Sequence, residues 1–318
     1  MRYLKSLIVA FCFISSLVGA GLATGKEVAL FLGNASLLSI VVCGLAIALF
    51  SYPFILIAII TKGKTLTLLF PRHKTTGSLI IKFMNFIFLS AMLGGAETLL
   101  REIWGFYGGS LCMALLTLIS IKLGNNFIKY LTTLTMPLIL IALIVIFLKR
   151  PNKPLGEFTI AYPILYAGMN SANAGIFAGS FIKDSSKKDA PIISSIIFVV
   201  ATLILVVIKS IIIGYEDTSI PLYYVSLDTN LAVFSVIVIF FSILTSCISS
   251  LKLCSNPNST EPYVISIIAL SISSFGFDKI VSYTYPLLGA VGIALLALAV
   301  YRLILLKLNL RKNRNLDL

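Results

Sequence analysis

Charged side chains and histidine are scarce in this chain. Only 12% of its 318 residues are charged, whereas 58% are hydrophobic, and a soluble protein carries about 25% charged residues. With a mean hydropathy of +1.03, this composition excludes an ordinary soluble protein and predicts an integral membrane protein. The single histidine, His73, excludes a histidine cluster for metal binding or catalysis. The cysteines lie in apolar segments without metal-ligand spacing, so we predict neither disulfides nor a metal site from Cys12, Cys43, Cys112, Cys247 and Cys254.

The chain also lacks the features of several other function classes. It has no linker or low-complexity stretch, no room for a nucleotide-binding domain, and no phosphate-binding loop or nucleophile elbow in a strand–helix context. The net charge of +13 comes from basic residues in short loops and near the C-terminus, a placement typical of orientation in a bilayer. We therefore expect neither an enzyme nor a nucleic-acid-binding protein. The expected partners are the lipid bilayer and a small molecule, with no organic cofactor.

Apolar segments of the length that crosses a bilayer recur ten times. They predict an all-α integral membrane protein with ten transmembrane helices, called spans 1 to 10, near residues 6–32, 36–60, 78–102, 106–122, 127–148, 159–182, 190–213, 229–252, 262–275 and 280–306.

The two halves of the chain match each other. Spans 4 and 9 are the shortest, and Pro137 in span 5 and Pro286 in span 10 are 149 residues apart. Because each half has an odd number of spans, the second half begins on the opposite side of the membrane from the first. Two related halves of five spans each would therefore form an inverted repeat. We predict one transmembrane domain over 1–318, with repeat one at about 1–150, repeat two at about 155–306 and a basic tail at 307–318.

Two spans contain glycine-rich interruptions at matching positions. Span 1 contains V-G-A-G-L-A-T-G from Val18 to Gly25, and span 6 contains Y-A-G-M-N-S-A-N-A-G from Tyr166 to Gly175. Glycine costs about 1 kcal/mol in a helix interior, and unwound backbone is tolerated at membrane depth only where it lines a cavity. Paired interruptions of this kind indicate the binding site of a transporter. We therefore predict that helices 1 and 6 are broken.

An unwound segment offers N–H groups to a carboxylate and C=O groups to a cation. The alternative is that the glycines allow close helix packing and that the asparagines bond to neighbouring helices. The candidate substrate-binding residues are Gly19, Ala20, Gly21, Leu22, Ala23, Thr24, Gly25, Tyr166, Gly168, Asn170, Ser171 and Asn173.

The glycine-broken motif G-A-G-x-A-T-G-x-E (Gly19 to Glu27), with L-Y-x-x-x-N (Leu165 to Asn170), resembles the YkvI-like bacterial membrane proteins. These belong to the amino acid–polyamine–organocation superfamily, which has the LeuT-type fold. The resemblance covers essentially the whole chain and implies a secondary active transporter in the bacterial cell membrane. Its expected solute is an amino acid or related amine, moved by alternating access with or without a coupling ion. The alternative is a receptor or sensor that keeps this fold without transport.

The resemblance also implies a candidate ion site. Sodium-coupled carriers of this fold use an adjacent hydroxyl pair on helix 8, and Thr245 and Ser246 match that pair in kind. With the carbonyl groups of Ser15 and Val18, they would form the oxygen cage that Na⁺ requires. The alternative is that the two hydroxyls bond back to their own helix.

Two acidic residues are candidates for gating or proton transfer. Glu27, one turn beyond the glycine-rich stretch, is a candidate for an outer gate. Glu97 in span 3 is a candidate proton carrier, although Arg101 follows in the i,i+4 order that favours an interfacial ion pair.

Positive charge predicts the orientation. With a cytoplasmic N-terminus, the inner segments hold seventeen Lys and Arg residues and the outer segments six, leaving out Lys82 and Lys209 inside spans. His73 then lies in a basic cytoplasmic loop, and Trp104 and Tyr107 lie at the outer interface. A cleavable signal peptide also fits the N-terminal pattern, but cleavage near Ala20 would delete half of span 1.

We predict that the C-terminus is cytoplasmic, because Arg311, Lys312 and Arg314 follow the last span. A fluorescent reporter that folds only in the cytoplasm, fused after Leu318, should be bright. A periplasm-dependent phosphatase at the same position should be inactive. The reverse pair of signals would contradict the orientation.

Overall fold

The computed structural model describes residues 2–71, 74–152, 156–182 and 185–314, and its regular structure is helical throughout. His73 and the last four residues of the predicted tail lie outside these ranges. The helices are α1 (Arg2–Leu17), α2 (Ala20–Thr24), α3 (Lys26–Leu32), α4 (Leu37–Ile60), α5 (Thr65–Leu69), α6 (Lys74–Trp104), α7 (Gly109–Lys122), α8 (Gly124–Lys149), α9 (Ala161–Gly179), α10 (Ala190–Ile212), α11 (Pro221–Asp228), α12 (Ala232–Cys254), α13 (Glu261–Ser273) and α14 (Phe277–Arg314), with a single 3₁₀ turn at Lys187–Asp189.

The chain is a multi-pass membrane protein. Six of the described helical segments are long and apolar enough to cross a bilayer: Leu37–Ile60, Thr75–Trp104, Gly124–Lys149, Lys187–Ile212, Ala232–Cys254 and Phe277–Leu308. They correspond to predicted spans 2, 3, 5, 7, 8 and 10. The other four predicted spans overlap shorter helices, namely α1–α3, α7, α9 and α13.

The helices pack as two groups with two further helices between them. In the first group α1 and α4 each pack against both α9 and α10, and in the second group α6, α7, α12 and α13 all contact one another. Helix α8 packs against α1, α10 and α12, while α14 packs against α9 and α6. Each group takes helices from both halves of the chain. The groups meet where α1 and α2 contact α12 and α6.

The first span is interrupted twice, as the glycine pattern predicts. Gly19 is extended (φ −87°, ψ −170°) between α1 and α2, and Gly25 is left-handed (φ 89°, ψ −6°) between α2 and α3. A Cβ at Gly25 would lie 2.8 Å from the Ile212 side chain, so both the backbone angle and the packing require glycine there. The span therefore consists of three short helices.

The predicted break in span 6 is wrong, because α9 runs without interruption from Ala161 to Gly179. Its glycines instead allow close packing, the alternative considered for them. A Cβ at Gly168 would lie 3.0 Å from the carbonyl oxygen of Gly289 in α14, and one at Gly175 would lie 2.8 Å from Cβ of Phe54 in α4. Asn170 Nδ2 donates to Tyr166 O within the same helix, at 3.1 Å.

Other boundaries also differ from the expectation. Helices α5 and α11 are additional, and Pro221 starts α11 at a position where its missing N–H costs nothing. Helix α14 continues to Arg314, so the beginning of the predicted basic tail is helical. The sequence after Gly292 contains no further glycine or proline to end the helix.

We predict that Gly292→Ala destabilises the protein by about 1–3 kcal/mol, the usual cost of overpacking. Its new Cβ would overlap the carbonyl oxygen of Gly168 across the α9–α14 contact. Ala290→Val adds bulk to an exposed position of the same helix and should leave stability unchanged. Thermal unfolding of the two purified variants measures the difference, and equal melting temperatures would contradict the packing role.

Candidate substrate cavity

A small buried cavity lies beside the first interruption of span 1. It is enclosed by α1, α3, α6, α9 and α12, and in this conformation it has room for about one water molecule. Its lining residues are Ser16, Leu17, Gly19, Glu27, Phe88, Met92, Asn170, Asn173, Ser246 and Ser250. Most of them are polar, which is unusual for the centre of a protein with this composition.

The backbone of α2 begins at this cavity without a side-chain cap. Ala20 N donates to the Met92 thioether sulfur at 2.9 Å, which is a weak acceptor, while Ala23 N returns to Gly19 O at 2.9 Å. Gly94 and Gly95 let α6 approach closely, and a Cβ at Gly95 would lie 2.7 Å from that of Ala20. The break therefore leaves an amide with only a weak partner inside the bundle.

Glu27 is the acidic residue of the cavity. Its side chain is 2% exposed, and its Oε2 atom has no hydrogen-bond partner within the described chain. It covers Gly21, because a Cβ on Gly21 would overlap the Glu27 carboxyl group. The sequence interpretation placed a solute against Gly21, but the structure places this carboxyl group there.

Other buried polar atoms close to Glu27 also lack hydrogen bonds among the described residues. Asn173 shares the cavity wall with Glu27, and its Oδ1 atom is unpartnered. The buried hydroxyl groups of Tyr166 and Tyr285 are also unpartnered, and Tyr285 packs against the cavity residue Phe88. Unmade hydrogen bonds at buried polar groups each cost about 1–3 kcal/mol. A region with several of them is suited to a polar ligand that supplies the missing partners.

The hydroxyl pair of α12 faces the C-terminal end of α1. Thr245 Oγ1 lies 3.1 Å from Ser15 O, and Ser246 Oγ lies 3.3 Å from Val18 O and 3.4 Å from the carbonyl oxygens of Ser15 and Ser16. One hydroxyl proton cannot satisfy three carbonyl groups at such long distances. These oxygens form a cluster with more acceptors than donors, which is a suitable environment for a cation. Thr245 also bonds back to Phe241 O at 3.0 Å, as the alternative predicted.

Contacts of Lys26 and Asp278 close one end of the bundle above the cavity, here called the Lys26 end. Lys26 Nζ lies 3.2 Å from Thr218 O and 3.7 Å from an Asp278 carboxylate oxygen. Ser219 Oγ donates to the other carboxylate oxygen of Asp278 at 2.8 Å. A cleft of about 470 Å³ lies beyond, between α6 and the start of α14. These contacts join α3 to the loop before α11 and to α14.

The opposite end, here called the Lys252 end, is closed by a different set of contacts. Ser16 Oγ donates to Ser249 Oγ at 2.9 Å. Lys252 Nζ donates to Ser180 Oγ at 3.0 Å and lies 4.0 Å from the ring centre of Phe181, a cation–π distance. The cavity is therefore enclosed at both ends.

The predicted site residues divide into two sets. The structure brings Gly19, Glu27, Asn170, Asn173 and Ser246 to the cavity wall. The remaining predicted residues are buried around it, where they pack, cap or bond to neighbouring helices. Ser171 Oγ, for example, donates to Ile47 O in α4 at 3.1 Å, and Thr24 Oγ1 donates to Gly21 O at 3.2 Å. The other members of this second set are Ser15, Val18, Ala20, Gly21, Leu22, Ala23, Gly25, Tyr166, Gly168 and Thr245.

The Glu97 side chain lies against the start of α7. Its carboxylate accepts hydrogen bonds from Gly108 N at 3.0 Å and from Ser110 N and Ser110 Oγ, both at 2.9 Å. It therefore caps the start of α7, where the helix dipole favours a negative charge. Within the described residues Arg101 makes no ion pair with it. A cap supplied from a distant helix leaves no pattern in the sequence.

Phe88, Met92 and Ser16 line the cavity although sequence reasoning did not single them out. Phe88 and Met92 lie in a span that is apolar on most faces, so nothing in the sequence separates a cavity wall from a lipid contact. Ser16 lies two residues before the glycine-rich stretch. A polar residue in that position is a usable signal.

No protein-family model and no curated protein matches the sequence. Among solved structures, the chain is similar to Mhp1, a nucleobase-cation-symport-1 family transporter with the LeuT-type fold, solved in a closed conformation with bromovinylhydantoin bound. The TM-score is 0.56 at 10% sequence identity, and the alignment covers 93% of this chain and 74% of Mhp1. The two proteins therefore share a fold, and the likeness by itself says nothing of the solute.

We predict that Lys26→Met opens the Lys26 end more often. A hydrogen bond from a charged donor contributes about 1.5–3 kcal/mol, so access to the cavity should rise by roughly tenfold or more. The measurement is the rate at which a water-soluble thiol reagent modifies the cysteine introduced by Asn170→Cys. All variants also carry Cys112→Ser, because Cys112 is the exposed native cysteine. Lys26→Arg keeps the charge and should react slowly. Equal rates in all three backgrounds would show that Lys26 does not close the cavity.

Proposed function

We propose that this protein is a secondary active transporter for a small solute, an amino acid or related amine, working by alternating access. The observation that carries the proposal is the polar cavity at the interrupted span, enclosed by separate contacts at the Lys26 end and the Lys252 end. Each end depends on few polar contacts, so either can open while the other stays closed. The likeness of fold to a transporter supports the same function rather than an enzyme.

We further propose that all ten spans cross the membrane as a five-plus-five inverted repeat within one domain. Each of the two helix groups contains helices from both halves of the chain, which supports this arrangement. The fourth span of one half and the fourth span of the other are also both short helices, α7 and α13. The orientation with both termini in the cytoplasm rests on the distribution of positive charge. Membership of the YkvI-like proteins, and with it a bacterial cell membrane, rests only on the Gly19–Glu27 and Leu165–Asn170 motifs.

Flux through reconstituted vesicles tests the central proposal. Proteoliposomes containing the full chain should accumulate label from a mixture of labelled amino acids and small amines. Protein-free liposomes provide the control. A receptor built on the same fold would bind its ligand in a thermal-shift assay and show no uptake. Binding without flux would therefore replace transport with sensing.

We propose that Na⁺ is the coupling ion and that it binds between α1 and α12. Its ligands would be the carbonyl oxygens of Ser15 and Val18 and the hydroxyl oxygens of Thr245 and Ser246. The excess of acceptors over donors at Ser246 supports this site, because a cation satisfies carbonyl groups that one proton cannot. The C-terminal end of α1 adds the negative end of a helix dipole.

We predict that Na⁺ raises the melting temperature of the wild-type protein and that Thr245→Val or Ser246→Ala removes this effect. An ion that binds only the folded state stabilises it by about 2.7 kcal/mol at one hundred times its dissociation constant. Potassium at equal ionic strength controls for screening. Ser210→Ala removes a hydroxyl that bonds only to its own helix and should keep the response. Uptake that ignores Na⁺ and follows a proton gradient would reject the site.

A further inference from the structure

The charge at the centre of the cavity identifies the part of the solute that is recognised. The argument rests on the proposed function, in that the cavity is taken to be the solute site. We propose that Glu27 binds the protonated amine of the solute, so that the cavity selects small ammonium compounds and rejects solutes whose only charge is a carboxylate. The glycine-rich motif by itself does not distinguish ammonium solutes from carboxylate solutes.

The Glu27 carboxyl group lacks a counter-ion among the described residues. Lys26, its neighbour in the chain, is directed to Thr218 O and Asp278. Two other lysines close to span 1, the buried Lys209 and the half-buried Lys252, are also occupied elsewhere. Lys209 Nζ lies 2.6 Å from Gly33 O and 3.3 Å from Glu216 Oε1, and Lys252 lies against Ser180 and Phe181. A buried carboxylate is costly unless a cation pairs with it, and an ammonium group from the solute would be that cation.

The unpartnered atoms around Glu27 are suited to an ammonium group. An ammonium group donates up to three hydrogen bonds and accepts none. The two oxygens of an ionised Glu27 and Asn173 Oδ1, all on residues of the cavity wall, can only accept. These atoms supply acceptors for every N–H of a primary ammonium group.

An aromatic ring also forms part of the cavity wall. Phe88 lines it and packs edge-on against Tyr285, with ring centres 5.3 Å apart. Aromatic faces attract cations and repel anions. A carboxylate group of the solute would lie close to the buried Glu27 carboxyl group in this cavity. Like charges at short range disfavour binding.

The size of the cavity limits the rest of the solute. The space holds about one water molecule in the closed conformation, and Phe88 and Met92 form its apolar wall. A compact ammonium compound with a short alkyl group can enter after a modest opening. Larger side chains would require the α6 wall to move.

Binding to the purified full-length protein in lipid nanodiscs tests the inference. The probes are ethylammonium, propionamide and propionate, three small solutes with positive, zero and negative charge, together with alanine. We expect ethylammonium and alanine to bind at least tenfold more tightly than propionamide, and propionate to show no binding. Glu27→Gln should weaken ethylammonium binding at least tenfold and remove the preference over propionamide. Glu102→Gln alters a carboxylate that meets Tyr224 instead of the cavity and should change nothing.

Glu27→Asp keeps the charge and provides a second variant. It should retain the preference for ethylammonium at reduced affinity, which a merely structural role of Glu27 would not produce. Propionate binding as tightly as ethylammonium, an absence of ethylammonium binding, or unchanged ethylammonium affinity in Glu27→Gln would each overturn the inference. If Glu27→Gln keeps that affinity and loses only the response of uptake to a pH gradient, Glu27 is a proton carrier instead.

The two proposals can fail separately. Uptake of labelled solute by the wild type without any ethylammonium binding would remove the role of Glu27 and leave transport in place. Charge-selective binding that depends on Glu27, without flux in proteoliposomes, would keep this role and remove transport.

Discussion

The requirement that backbone polar groups be satisfied at membrane depth governs this structure. Unwound backbone at Gly19 and Gly25 cannot face lipid, since each orphan group costs several kcal/mol there. The interrupted span is therefore enclosed, with α9 and α10 on one side and α6 and α12 on the other. Residues 20–25 are all buried. The two helix groups meet at this segment, so the break determines where the cavity lies.

Glycine has two different functions in the two halves of the chain. At Gly25 it permits a left-handed backbone that ends a helix. At Gly168, Gly289 and Gly292 it lets α9 and α14 pack so closely that a carbonyl oxygen of the neighbouring helix occupies the space a Cβ atom would need. A bilayer provides little hydrophobic driving force between helices, so close packing of this kind contributes much of their association. The tight α9–α14 contact also fixes the face of α9 that carries Asn170 and Asn173.

The polar groups in and around the cavity are surrounded by apolar side chains, which offer them few hydrogen-bond partners. Glu27, Asn173, Tyr166 and Tyr285 all keep unpartnered atoms within the described chain, whereas most other buried hydroxyl groups bond back to their own helices. The enclosure also separates two chemically distinct regions. Carboxyl and phenol oxygens lie near α3, and carbonyl and hydroxyl oxygens lie between α1 and α12. This separation allows a solute and an ion to occupy neighbouring positions.

The approach of Thr245 and Ser246 to the carbonyl groups of Ser15 and Val18 was expected only from the resemblance to sodium-coupled carriers, and no local pattern in the chain predicts it. The sequence by itself determined the membrane class and the position of the interruption in span 1. Hydropathy and helix-breaking glycines are local properties, so these features can be read from the chain. Only the tertiary structure decided that α9 is continuous, because a glycine in a tight helix contact and a glycine in a break look the same in one sequence. It also decided that Glu97 caps α7 and that Glu27 lies in the cavity. The partners of a buried carboxylate come from distant helices, and no local pattern records which helices will meet.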